Sequence, residues 1–304
     1  MKLLWLDLNS SYAHSSLALP ALHAQIADDT TIEWCIVSAT INENTGMVVS
    51  RIHKHRPDII AATNWLFNHE QLLHIISRAK ALLPHCCIVL GGPEFLGNNE
   101  AFLYKNKFVS GVFRGEGEEV FPQWLKVWNH SKETWKAITG LCYLDENGRY
   151  QDNGIARVMN FSQLVSPEKS CFFNWSKPFV QLETTRGCFN TCAFCVSGGE
   201  KPVRTIPLEA IRERLNDIHQ HGIKNVRVLD RTFNYNNKRA KELLDLFRQY
   251  PDICFHLEIH PALLSEELKQ ELSVLPKGLL HLEAGIQSLK ESAVSESYPT
   301  HWKD

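Results

Sequence analysis

The sequence has no long apolar run and no excess of charge of either sign. Its 304 residues include 32 Lys and Arg against 34 Asp and Glu, a formal net charge of −2. No stretch approaches the about 20 apolar residues that a membrane-spanning helix needs. Asp7 interrupts the N-terminal apolar run, which argues against a secretory signal peptide. A net charge this close to zero does not favour binding to nucleic acid. We therefore expect a cytoplasmic protein without membrane or nucleic-acid partners.

A framework of paired cysteines is also missing. Six of the nine cysteines are scattered without the pattern of a secreted disulfide-rich domain: Cys35, Cys86, Cys87, Cys142, Cys171 and Cys254. This usage indicates a reducing compartment. The other three, Cys188, Cys192 and Cys195, stand together in a C-x3-C-x2-C run. The remaining composition, 44% apolar and 22% charged, is ordinary for a globular protein.

Three closely spaced cysteines suit an iron–sulfur cluster with one open iron. A four-iron cluster is usually held by four thiolates, so three thiolates leave one iron able to bind a substrate or cofactor. Zinc is the alternative, but it usually takes four protein ligands. The fourth would have to come from elsewhere, for example from His219, His221 or Cys254. The spacing favours the open cluster, and hence an enzyme that performs radical chemistry.

The first part of the chain alternates strands and helices. Apolar strand patterns occupy five segments: 3–8, 32–38, 58–62, 87–90 and 108–113. This alternation predicts a doubly wound parallel sheet, which binds ligands beyond the carboxyl ends of its strands. Small and polar residues fill the four loops at that edge: 9–16, 63–68, 91–97 and 114–118. A dinucleotide is excluded because Gly115-Glu-Gly-Glu-Glu-Val lacks the third glycine of G-x-G-x-x-G and its acids would repel a pyrophosphate.

A second alternation begins at Phe179. Four strand patterns separated by helices cover these segments: 179–184, 225–229, 254–259 and 279–284. Polar residues at the strand ends predict a (β/α) barrel with its site at that rim. Between the two parts, 141–144 and 155–159 are predicted to form a hairpin. We expect an N-terminal domain over 1–130, a connector over 131–177 and a C-terminal domain over 178–304.

Two sets of motifs resemble known families. The run Arg186-Gly-Cys-Phe-Asn-Thr-Cys-Ala-Phe-Cys resembles the cluster motif of the radical S-adenosylmethionine (radical SAM) superfamily. Val89-Leu-Gly-Gly-Pro-Glu and Arg114-Gly-Glu-Gly-Glu resemble the cobalamin-binding domain of its B12-dependent branch. The resemblance implies a Rossmann-like cobalamin-binding domain followed by a partial radical SAM barrel. It also implies a [4Fe-4S] cluster that cleaves SAM to a 5′-deoxyadenosyl radical, with cobalamin as second cofactor.

The same resemblance implies ligand contacts. The cluster ligands are Cys188, Cys192 and Cys195. The SAM contacts are Phe194, Gly198, Gly199, Glu258 and Glu283. The cobalamin contacts are Ser10, Ser11, His14, Ser15, Thr63, Asn64, Gly91, Gly92, Pro93, Glu94, Gly115, Glu116 and Gly117. The cobalt-ligating D-x-H-x-x-G motif is absent, which leaves the lower face of cobalt open, water-bound or reached by His14.

The reaction that the resemblance implies is methyl transfer, or another radical rearrangement, on an unknown small molecule. It further implies an electron donor such as flavodoxin or ferredoxin. Only four barrel strands can be counted where the family usually has six, so a chain cut short at its C-terminus is expected. Two alternatives stay open. One is an inactive remnant that binds a cluster without turnover, and the other is a tRNA-modifying radical SAM enzyme, which needs further clustered cysteines near the N-terminus.

Overall fold

The computed structural model describes residues 1–13, 16–192, 194–197 and 200–285. The chain divides into two compact units, Met1–Phe173 and Asn174 onward. In the part of the chain that is described, no helix has the length and apolar character needed to cross a membrane.

The first unit is built on a seven-stranded sheet. Its strands are β1 (Lys2–Asn9), β2 (Glu33–Thr40), β3 (Ile59–Thr63), β4 (Cys87–Gly91), β5 (Gly111–Phe113), β6 (Leu141–Leu144) and β7 (Tyr150–Asp152). They lie in the order β2-β1-β3-β4-β5-β6-β7. The first five are parallel, and β6 and β7 are antiparallel. The chain starts at β1, adds β2 on one side of it, and then adds β3, β4 and β5 in turn on the other side, so the strand order reverses at β1.

Helices cover both faces of this sheet. They are α1 (Ala18–Ala24), α2 (Thr45–His55), α3 (His69–Leu82), α4 (Glu100–Lys105) and α5 (Val120–Leu125). One apolar core contains Ile52 of α2 and Ile76 of α3, and a second contains Leu19 of α1 and Trp124 of α5. Two cores on opposite faces confirm the doubly wound architecture.

The predicted hairpin is wrong in one respect. The partner of β6 is β7, not the segment 155–159. The turn between them is tight, because the Gly148 amide donates to Asp145 O at 2.9 Å and the Asp145 amide donates to Arg149 O at 2.9 Å. Since β6 joins β5 and its Tyr143 is fully buried, the hairpin extends the sheet of the first unit, which continues past residue 130 to Phe173.

The second unit contains a four-stranded parallel sheet. Its strands are β8 (Val180–Leu182), β11 (Asn225–Val228), β12 (Cys254–Ile259) and β13 (Leu280–Ala284), while β9 (Thr185–Arg186) and β10 (Arg204–Thr205) form a separate antiparallel ribbon. The connecting helices are α6 (Leu208–Gln220), α7 (Asn237–Phe247) and α8 (Glu266–Ser273). Ser265 caps α8 by accepting from the Leu268 amide at 3.2 Å, as Ser at an N-cap does.

The four parallel strands lie side by side in chain order, each joined to the next by a helix. This is the arrangement of a (β/α) barrel and not of a doubly wound sheet, whose strand order reverses. Phe255 and Leu257 of β12 are fully buried, whereas the alternating residues His256 and Glu258 are not. The sheet therefore has one apolar face and one polar face.

Candidate functional site

The cysteine loop leaves the first barrel strand and is closed at its base. Pairing of Thr185 with Thr205 and of Arg186 with Arg204 in the β9–β10 ribbon brings the two ends of the loop together. Gly187, the first loop residue, has φ +91°, and a Cβ there would lie 2.4 Å from Glu200 O. The Cys188 amide donates to the same carbonyl at 3.1 Å. The backbone strands of the loop thus approach so closely that only glycine fits at 187.

The three thiols share this loop. Cys188 and Cys192 are half-buried and Cys195 is exposed. Burial raises the pKa of the Cys192 thiol, and the nearby charges of Cys195 and Cys188 raise it further. Within the described residues, no three His, Cys, Asp or Glu side chains are yet gathered at metal-binding distance.

Their chemistry nevertheless fits a cluster. Soft thiolates select iron–sulfur clusters and zinc, and metal binding commonly completes the geometry of its own site. Mutual repulsion between three thiolates is relieved when a cationic iron centre lies between them. Phe194, a predicted SAM contact, is 59% exposed in the same loop. Gly198 and Gly199, also predicted SAM contacts, lie outside the described residues.

A buried carboxylate that the sequence analysis did not select anchors the loop. Asp230, after the end of β11, is 2% exposed. It accepts hydrogen bonds from the amides of Thr184 at 2.8 Å and Thr185 at 2.9 Å, and a short one from the Thr184 hydroxyl. Burial raises the pKa of Asp230, and these hydrogen bonds oppose that shift. The end of the second barrel strand thus fixes the two residues that lead into the cysteine loop.

The two acids predicted to contact SAM lie together on the polar face of the sheet. Glu258 of β12 is directly opposite Glu283 of β13. Arg227 Nη2 lies 3.3 Å from Glu258 Oε1 and 3.7 Å from Glu283 Oε2. Nε2 of His256 is 2.7 Å from Glu283 Oε2, and the His256 ring stacks on His281 at 4.7 Å.

This cluster remains accessible. Arg227 is 40% exposed, Glu258 39% and Glu283 54%. Ion pairs at such exposure contribute little net stability, so a ligand can compete for them at small cost. Sequence reasoning missed Arg227, His256 and His281. Their signal is the alternation of polar and apolar residues along β11, β12 and β13, which places them on the same face as Glu258.

Three loops of the first unit converge at the carboxyl edge of its sheet. The Asn64 amide, after β3, donates to Gly91 O of β4 at 2.7 Å. The Asn68 side chain donates to Leu8 O of β1 at 2.9 Å and to Thr63 O at 3.1 Å. Gly92 has φ +113°, and a Cβ there would meet Asn64 O at 2.5 Å. The backbone segments at this edge are therefore closely packed, and only a residue without a side chain fits at position 92.

The other predicted cobalamin residues are distributed around the same edge. Ser10, Ser11 and Glu94 are exposed, and Pro93 opens a short 3-10 turn. His14 and Ser15 lie outside the described residues. In the loop after β5, Glu116 accepts from the Val158 amide at 2.7 Å, so this carboxylate is engaged within the protein. Gly115 forms a bridge with Ala156, and a Cβ on Gly117 would lie 3.0 Å from the side chain of Leu22.

Comparison with known families identifies both units. Residues 182–303 match the Radical SAM superfamily, and residues 8–125 match the B12 binding domain. The chain therefore carries a radical SAM domain preceded by a B12 binding domain. The resemblance seen in the cysteine loop and in the glycine-containing loops is thereby confirmed.

The chain is similar to several named proteins. An uncharacterized methyltransferase of Pyrococcus horikoshii is 29% identical over 201 residues, which cover 63% of this chain and 43% of the relative. The cobalamin-dependent radical SAM methyltransferase TokK of Streptomyces tokunonensis is 21% identical over 188 residues, 58% of this chain and 28% of TokK. The structure of OxsB, a cobalamin-dependent S-adenosylmethionine radical enzyme, superposes with a TM-score of 0.77 at 18% identity and covers 99% of this chain.

The likeness to OxsB confirms the fold. It extends over 46% of the OxsB chain, so the present chain spans less than half the length of each of these three proteins.

Proposed function

We propose that this protein is a cobalamin-dependent radical SAM enzyme that transfers a methyl group to a small molecule. The observation that carries the proposal is the C-x3-C-x2-C loop, held at the end of the first barrel strand in a chain that also carries a B12 binding domain. Relatives named as methyltransferases support methyl transfer over other radical rearrangements.

The loop residues divide the work. Cys188, Cys192 and Cys195 would hold the cluster, and three thiolates would leave it able to bind SAM. The β9–β10 ribbon and Asp230 keep the loop in place on the barrel edge. When bound, the cluster and SAM supply a carbon-centred radical, and cobalamin supplies a methyl group.

The polar face of the barrel sheet orients the SAM molecule. Glu258 and Glu283 are placed to accept hydrogen bonds from an amino group or a ribose, and Arg227 holds both carboxylates on the same side. Phe194, exposed on the cysteine loop, offers a ring for an adenine.

The carboxyl edge of the first sheet holds the cobalamin. Gly91 and Gly92 let the backbone approach the corrin closely, and Thr63 and Asn64 border them. An external reductant such as flavodoxin or ferredoxin supplies the electron.

Anaerobic reconstitution with iron and sulfide, followed by incubation with SAM and dithionite, tests this function. We expect 5′-deoxyadenosine and methionine to form, and hydroxocobalamin to bind at one per chain. If the protein binds the cluster and cobalamin but does not cleave SAM, it is a cofactor-binding protein and the enzymatic proposal is overturned.

A further inference from the structure

A polar cavity lies in the first unit, away from the loops assigned to cobalamin. Its volume is about 250 Å³, and its lining includes Lys80, Lys107, Lys132 and Ser110. None of the described residues that line it is acidic. Ser110 immediately precedes β5 and Lys80 lies near the end of α3, before β4. The cavity therefore opens at the amino edge of the parallel strands, opposite the edge where such sheets bind their main ligand.

Two of the three lysines are held in place by the backbone. Lys80 Nζ donates to Cys86 O at 2.7 Å, and Lys132 Nζ donates to Leu144 O at 2.5 Å. An ammonium group has three N–H donors, so each of these lysines keeps two for another acceptor. A fixed ammonium loses less side-chain entropy on binding than a mobile one.

The two acids whose charges act on Lys132, Asp145 and Glu146, already accept hydrogen bonds. Asp145 accepts from the amides of Asn147 and Arg149, both at 2.9 Å, and Glu146 accepts from the Ser131 hydroxyl at 3.0 Å. Burial lowers the pKa of Lys132, and the charges of Cys87, Asp145 and Glu146 only partly offset that effect. An anion inside the cavity would stabilise this half-buried ammonium directly.

We propose that this cavity is a binding site for a small phosphate-bearing anion. Three lysines and a serine line the cavity, with no acid among its described lining residues, and they supply the charge and the donors that phosphate oxygens require. The volume lies just below the about 300–1,000 Å³ of cavities that enclose drug-sized ligands, which suits an inorganic phosphate, a pyrophosphate or a small phosphate monoester. The site is independent of the cluster and of the proposed reaction.

Isothermal titration of inorganic pyrophosphate into the full chain at low ionic strength tests the proposal. We expect saturable binding in the millimolar range or tighter, weakened at least about tenfold by Lys107→Gln, because one charge-assisted hydrogen bond contributes more than about 1.4 kcal/mol. Lys105→Gln is the matched control: it removes the same charge two residues away, from a side chain that does not line the cavity.

Lys132→Gln should weaken binding further. Because the ammonium groups of Lys132 and Lys80 also bond the backbone, Lys107→Gln decides the question should Lys132→Gln or Lys80→Gln fail to fold. A parallel titration with glycerol phosphate separates esterified from free phosphate, and binding of either supports the site. No saturable binding of any of these anions, or an equal loss in Lys105→Gln, would overturn it.

Discussion

The carboxylate of Asp230 accepts a 2.9 Å hydrogen bond from the backbone amide of Thr185. These residues are 45 positions apart in sequence, yet the contact joins the end of the second barrel strand to the first residue of the ribbon that closes the cysteine loop. Asp230 also binds Thr184 through two further hydrogen bonds. The position of the cysteine loop therefore depends on a residue with no chemistry of its own in the reaction.

Replacing Asp230 with Asn should loosen the loop. Asn presents one acceptor oxygen and one NH2 group, so it leaves at least one donor of Thr184 or Thr185 without a partner, at a cost of about 1–3 kcal/mol. We expect a lower unfolding midpoint and less iron retained per chain after gel filtration. Asp245→Asn, at an exposed helix position paired with Arg248, should change neither. Equal iron content in Asp230→Asn and the unaltered protein would contradict the anchoring role.

Each loop cysteine should be essential for SAM cleavage. Cys188→Ala, Cys192→Ala and Cys195→Ala each remove one of three ligands, and we expect SAM cleavage to fall to background. Cys171→Ala is the control, since this thiol is exposed but lies outside the loop, and it should retain activity. Chromatographic quantification of 5′-deoxyadenosine checks both. Cleavage retained by any one of the loop variants would refute the ligand assignment.

Gly92 and Gly97 offer a matched pair for the cobalamin edge. Gly92→Ala places a Cβ 2.5 Å from Asn64 O at φ +113°, which costs about 1–3 kcal/mol of backbone strain and obstructs the edge. A methyl group on Gly97 would meet no atom within 4 Å among the described residues, so Gly97→Ala should be silent. Absorbance titration with hydroxocobalamin should show weaker binding by Gly92→Ala alone. Similar affinities in the two variants would argue against a corrin close to Gly92.

Stability of the first unit should decline in mild acid through His23. This side chain is 8% exposed, and its Nδ1 lies 2.9 Å from the Ser170 hydroxyl. Burial lowers its pKa below the ordinary value of 6.5. The unfolded chain then takes up the proton first, so stability is complete above about pH 6.5 and falls as the pH drops below it toward the folded-state pKa.

Chemical unfolding from pH 7.5 to pH 5 checks this expectation. His23→Gln should reduce the slope of stability against pH, whereas His53→Gln, at an exposed position of α2, should retain the slope of the unaltered protein. Identical slopes in all three proteins would show that His23 is not the group responsible.

Much of the architecture was predictable because its signals are local. The apolar strand patterns each extend over four or more consecutive residues, which is long enough to recognise a strand. The short helix Glu100–Lys105 was not predicted, since six residues carry less than two turns of pattern. The ribbon of β9 and β10 has two residues per strand, too few for any period to register.

The site divides in the same way. The cysteine motif is contiguous, so its chemistry was visible in the sequence. The anchoring role of Asp230 was not, because it depends on Thr184 and Thr185 of another strand. The Asp230 carboxylate accepts from the backbone amides of both threonines. The pairing of Glu258 with Glu283 depends on the register between β12 and β13, which likewise cannot be read from the sequence.

Electron paramagnetic resonance of the reduced, reconstituted protein, with and without SAM, tests the central claim most directly. If Cys188, Cys192 and Cys195 hold a cluster with an open iron, the [4Fe–4S]⁺ signal should appear and should change its g-values when SAM binds that iron. A signal that is indifferent to SAM, or zinc in place of iron after reconstitution with both metals, would contradict the account.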